Sequence, residues 1–119
     1  MPDSTGEHTV EEHLAGVDPS VSALYERLIA LVESFGPVIQ EPKKTSIHLV
    51  RRTALAGVYV RISYINLEFK TDYPIESPRI RKSERISKNR YHHVLRLDSP
   101  DDLDEEAAGW LRDAYALSA

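Results

Sequence analysis

Lys44, Ser46 and His48 stand at alternate positions, and Arg61, His92 and Arg96 repeat their chemistry further along. Cationic and hydrogen-donating side chains of this kind suit the oxygen atoms of an anion. Tyr59 and Tyr64 add ring faces on which a base or nucleoside could stack. The adjacent pair His92-His93 cannot hold one ion on a strand, because neighbouring side chains point to opposite faces. His48 with His92, and Glu68 as a third ligand, is an allowed metal set, but the surrounding Lys and Arg repel a cation. Glu11, Glu12, Asp101, Asp102, Glu105 and Glu106 offer a second option, weak iron binding by exposed carboxylates. Against it, carboxylates at a helix start are already explained by the positive end of the helix dipole.

Other chemistries are excluded by what is missing. No cysteine is present, which removes thiolate nucleophiles, iron–sulfur ligation, thiolate zinc sites and disulfides. The five glycines stand singly, so neither a phosphate loop nor a dinucleotide fingerprint can be built. There is no Gly-x-Ser-x-Gly elbow. The sequence therefore assigns no catalytic residue, no cofactor and no metal ligand.

Net charge is -4, but it is unevenly spread. Residues 43–96 hold 13 Lys and Arg against four acidic residues, while the flanking segments hold eight acidic residues against Arg27 and seven against Arg112. A basic middle between acidic ends predicts either an anion-binding surface or internal complementarity. Overall acidity disfavours avid nucleic-acid binding, which normally needs a strongly basic domain.

The positioning elements follow from periodicity. Thr9-Val10-Glu11-Glu12 is a capping box opening a short helix that stops at Gly16. Asp18-Pro19 starts a second, whose stripe Val21, Leu24, Tyr25, Leu28, Leu31, Val32 and Phe35 ends at Gly36-Pro37. Ser99-Pro100 opens a third, with Leu103, Ala107, Trp110, Leu111, Ala114 and Leu117 inward. Between them the period becomes two. Strands are expected at Val38–Glu41, Ser46–Leu49, Val58–Ile62, Tyr64–Lys70 and His92–Leu97, with loops at 72–78 and around the basic 79–82. The expected fold is an α+β two-layer sandwich: an antiparallel sheet of about five strands with N- and C-terminal helices packed on one face. Residues 1–8 read as a flexible tail and 9–119 as a single domain.

Several segments resemble a known family: Lys43-Lys44-Thr45-Ser46-Ile47-His48, Arg51-Arg52, Ala54-Leu55-Ala56-Gly57-Val58, Ser77-Pro78-Arg79-Ile80, Tyr91-His92-His93, Leu103-Asp104-Glu105 and Trp110 to Tyr115. In order and spacing they resemble the domain of unknown function 5655 family, from about Val10 to Tyr115. The resemblance implies a small bacterial domain, alone or fused to others, with no established reaction. The layout is also similar in outline to frataxin-like iron chaperones, although fold does not carry function.

With no apolar run near the ~18 residues that span a bilayer, a cytoplasmic, monomeric or homodimeric protein is expected. The functional expectation is a non-catalytic module. It would hold a small anionic ligand or an acidic protein surface on an open sheet face through Lys44, Ser46, His48, Arg61 and His92. The alternatives are a frataxin-like metal chaperone and an enzyme of unseen chemistry. The bland reading is that these charges are simply solvated.

Overall fold

A computed structural model describes residues 8–119. The tail expected at 1–8 therefore falls, apart from His8, outside the described residues. Helix α1 (Val10–Leu14) forms the capping box read from the sequence: Glu12 N–H donates to Thr9 Oγ1 at 3.1 Å and Thr9 N–H to Glu12 Oε2 at 3.2 Å. Helix α2 (Pro19–Glu33) buries Val21, Leu24, Tyr25, Leu28, Ile29 and Val32. Asp18 occupies its N-cap, but the carboxylate makes no capping hydrogen bond. Backbone geometry and Pro19 suffice to start the helix.

Six strands follow, one more than expected: β1 (Ile39–Pro42), β2 (Ile47–Val50), β3 (Ala54–Val60), β4 (Ile65–Thr71), β5 (Ile80–Ser87) and β6 (Arg90–Leu97). All pairings are antiparallel, in the order β1-β2-β3-β4-β6-β5. The unexpected strand is β5. The basic segment 79–82, read as a loop, largely belongs to it, because an edge strand exposed on nearly all of its length shows no apolar alternation and is held by backbone bonds to β6. The segment 72–78, with Pro74 and Pro78, is the loop that carries the chain past β6 to that edge.

Ile47, Leu49, Val58, Ile65, Leu67, Phe69, Leu95 and Leu97 are buried and share one cluster with α2 and the C-terminal helix α3 (Glu105–Leu117). Leu55 is buried as well: a register shift leaves it between Ala54 and Ala56, so the bulge brings two successive residues into the core. Strand β3 stops at Val60, and Ile62 lies in the following turn, 69% exposed. The third helix also starts later than Ser99 suggests. Ser99 caps only a 3-10 turn (Pro100–Asp102), the chain bends at Leu103, and Asp104 caps α3 by accepting from Ala107 N–H at 3.0 Å. Two successive caps divide the acidic run between them.

Gly36 ends α2's connection with a φ of +149°, a conformation L side chains avoid. A Cβ there would collide with the Tyr115 hydroxyl, which donates to the Pro37 carbonyl at 2.9 Å. Gly36→Ala is accordingly expected to lower stability by about 2 kcal/mol or more in urea unfolding. A variant as stable as the parent would contradict this placement of Tyr115.

Candidate functional site

Register decides which outward side chains meet. Across the sheet, His48 pairs with Gly57 and Gly57 with Glu68, while Lys70 pairs with His92 and His92 with Glu84. Alternation places all six on the side away from Leu49, Leu67 and Leu95. Gly57 has no side chain, and the gap over it opens into a cleft of about 210 Å³ lined by His48, Gly57, Glu68, Lys70 and His92, with Leu55 at its inner wall. A Cβ on Gly57 would make only ordinary contacts, 3.6 Å to Tyr59 and 3.9 Å to His48. The gap is thus a property of this residue and not of a crowded backbone.

The five residues singled out from the sequence are divided by this register. His48 and His92 line the cleft together. Ser46 is buried at the start of β2. Lys44 lies in the β1–β2 turn and Arg61 in the β3–β4 turn, both exposed and at the same end of the sheet. That end is marked on β6 by Leu97, which pairs with Ile65. His92 lies five residues back along β6, roughly 17 Å away at the rise of an extended strand.

Two cations that were not singled out sit beside the histidines. Lys70 Nζ donates to Thr53 Oγ1 at 3.0 Å, and burial, followed by the Arg90 charge, pushes its ammonium below the ordinary lysine range. Arg90, two residues from His92 and so on the same side of β6, has a buried Nη1 with no hydrogen-bond partner. Among the described residues neither cation joins an ion pair. The only signal in the sequence was alternation along Lys70 and Arg90; their mutual approach needs the β4–β6 pairing.

Part of the remaining basic stretch is neutralised inside the molecule. Arg79 Nη1 meets Asp104 at 2.9 Å and Glu106 at 3.0 Å, its Nη2 donates to the Asp102 carbonyl at 2.7 Å, and its guanidinium lies over Trp110. Arg96 pairs with Asp98 at 3.0 Å and covers the Tyr64 ring at 3.9 Å. Tyr64 is thereby occupied as a stacking platform, and Trp110 stacks on Phe69. Three of the six acidic groups considered for iron are engaged: Glu12 and Asp102 in capping boxes, Glu106 with Arg79. His13 Nε2 donates to the Lys43 carbonyl at 2.7 Å. Among the described residues no three His, Asp or Glu side chains are grouped to hold a metal ion.

His93, on the other side of β6 from His92, is completely buried. Its Nε2 is 2.9 Å from Thr71 Oγ1 and its Nδ1 is 2.8 Å from Ser83 Oγ. Thr71 donates its single proton to the Tyr73 carbonyl at 2.5 Å, so it accepts from His93 Nε2–H. The Nδ1 lone pair is then left to accept from the Ser83 hydroxyl. Burial pushes this imidazole below the ordinary histidine range; the Tyr73 carbonyl opposes the shift and His92 adds to it. The sequence pairing His92-His93 implied one inward ring but gave no sign of its hydroxyl partners.

The architecture is that of an α+β fold with an open antiparallel sheet and a cleft lined by residues of β2, β3, β4 and β6. Residues 10–118 match the family described as domain of unknown function (DUF5655), and the chain belongs to that family. It matches no curated protein and no solved structure. No helix among the described residues is long and apolar enough to cross a membrane.

The depressed histidine gives a pH dependence of known sign. An imidazole held neutral in the fold binds its proton more readily when unfolded, so His93 contributes stability above ~6.5 that is lost as pH falls below it. Asp104, held low first by the Ala107 N–H and then by Arg79, adds a separate loss only in stronger acid, below its ordinary value of 3.8. Melting temperature is therefore expected to fall between about pH 7 and pH 5.5, and His93→Gln, which can still donate to Thr71 and accept from Ser83, should flatten that slope. An undiminished slope in the variant would assign the effect to another group.

Proposed function

We propose that this domain is a binding module that holds a small anionic ligand in the cleft on the open sheet face. The observation that carries the reading is Lys70 on the cleft wall with the Arg90 charge close enough to act on it. Lys70 and Arg90 repel one another, one is partly desolvated with only a neutral hydroxyl as partner, and the other has a buried, unsatisfied N–H. Such an arrangement costs stability unless an anion completes it. His92, directly across from Lys70, and His48, on the far wall, supply further donors. Glu68 and Glu84 restrict the anionic group to the Lys70–Arg90 side and favour a compact ligand.

The reading differs from the sequence-based one in its cations. Lys70 and Arg90 take the role expected of Lys44 and Arg61, which stand at the other end of the sheet. Ser46 has no part in it, being buried. The metal-chaperone alternative gains no supporting observation: Glu12, Asp102 and Glu106 are engaged in caps and with Arg79, and among the described residues no three His, Asp or Glu are grouped to hold a metal ion.

Binding to the folded state alone raises stability by RT ln(1 + [L]/Kd), about 1.4 kcal/mol at tenfold excess over Kd, or roughly 5–6 °C in a domain of this size. Titration with orthophosphate, sulfate and small dicarboxylates should produce such a shift in at least one case. Lys70→Ala with Arg90→Ala should remove it, and Gly57→Val, which fills the cleft floor without altering charge, should remove it too. Lys44→Ala with Arg61→Ala should leave it intact. No shift in the parent chain, or an equal loss in the Lys44/Arg61 pair, would reject the cleft as the site.

A further inference from the structure

The relay through His93 runs from the core to the surface. Thr71 and His93 are both completely buried, whereas Ser83 is exposed on the edge strand β5. Since the Thr71 proton is committed to the Tyr73 carbonyl, the imidazole is held as the Nε2–H tautomer and its free lone pair faces Ser83 Oγ at 2.8 Å. The Ser83 proton consequently points inward, and the lone pairs of Oγ are left facing solvent. Phe69, tilted at 5.4 Å, and Tyr91, parallel at 6.4 Å, fix the plane of the imidazole. A hydroxyl, a base and a third group that orients the base are the parts of an activated nucleophile. The third group here is a neutral hydroxyl and not a carboxylate, so the base is correctly oriented but weak.

We propose that Ser83 is a base-activated hydroxyl, a covalent-modification site that takes an acyl group from an acyl phosphate. The donor class follows from the neighbours on β5: Arg81, Lys82 and Arg85 are exposed around Ser83, with Glu84 as the local acid. They favour a donor carrying a phosphate dianion over a neutral ester. In the transfer, Ser83 Oγ bonds to the carbonyl carbon and the carbon–oxygen bond to phosphate breaks. The Ser83 proton passes to His93 Nδ1 and from there to the departing phosphate, which restores the neutral imidazole; nothing is oxidised or reduced. Ser83 lies on the opposite side of the sheet from His92, so this site is independent of the cleft.

Acetyl phosphate is the probe, applied to the full chain, with peptide mass mapping before and after hydroxylamine, which cleaves a serine ester and leaves lysine amides. Ser83 should gain a hydroxylamine-labile acetyl group at least about tenfold faster than the exposed Ser63 and Ser87, less than the roughly hundredfold or more of a strong positioned base because this one is weak. Ser83→Ala should abolish that adduct. Thr71 is a positioning residue: Thr71→Val should slow labelling and move its pH dependence, and Thr71→Ser should restore both. The groups facing the imidazole are Thr71, Ser83 and Tyr91, with Arg85 over the Tyr91 ring and His92 across the strand. Labelling of Ser83 no faster than Ser63, or a folded Thr71→Val chain labelled at the parental rate and pH profile, would overturn the proposal.

Discussion

The apolar cluster shared by the strands and the two longer helices fixes everything else in this molecule. Ile47, Leu49, Val58, Leu67, Phe69 and Leu95 can all be buried in one register only, because a slip of one residue would turn every side chain of a strand over. That constraint is much stronger than any polar contact on the outer face. Gly57 therefore falls between His48 and Glu68, and Lys70 beside His92, as by-products of core packing. The cleft is a gap left by one missing side chain on an otherwise continuous surface.

The same register determines how charge is spent. The basic middle of the chain looks like a single electropositive field when read in order, yet its members meet different fates. Arg79 is absorbed by the acidic start of α3, where Asp104 also caps the helix, and Arg96 is absorbed by Asp98 and Tyr64. Internal complementarity thus accounts for part of the asymmetry. Among the cations without an acidic partner, Lys70 is partly desolvated and Arg90 has a buried N–H, and that is where a ligand has the most to contribute.

β6 carries two histidines with opposite environments. His92 faces the cleft and half-contacts solvent, whereas His93 is sealed in the core between two hydroxyls. One ring is available to bind and the other is held in a single tautomer by its neighbours. The edge position of β5 gives the second a route to solvent through Ser83, so the strand hardest to see in the sequence is also the one that exposes the relay.

Sequence alone determined the elements whose burial repeats: the stripe of α2, the alternation of β2, β4 and β6, and the Thr9 capping box. These are local patterns, set by the periods of helix and strand. It also determined the family, through short segments kept in order. Tertiary structure alone decided the rest. β5 lacks alternation because both of its faces are wet, and its pairing with β6 is a matter of backbone bonds. Lys44 and Arg61 share a residue type with Lys70 and Arg90, but they stand at the other end of the sheet, and the pairing of β6 with β4 brings Lys70 and Arg90 together. The hydroxyls around His93 come from residues 71 and 83, brought together by that same crossover. Contacts between positions distant in the chain carry no periodic signature, and sites are made of such contacts.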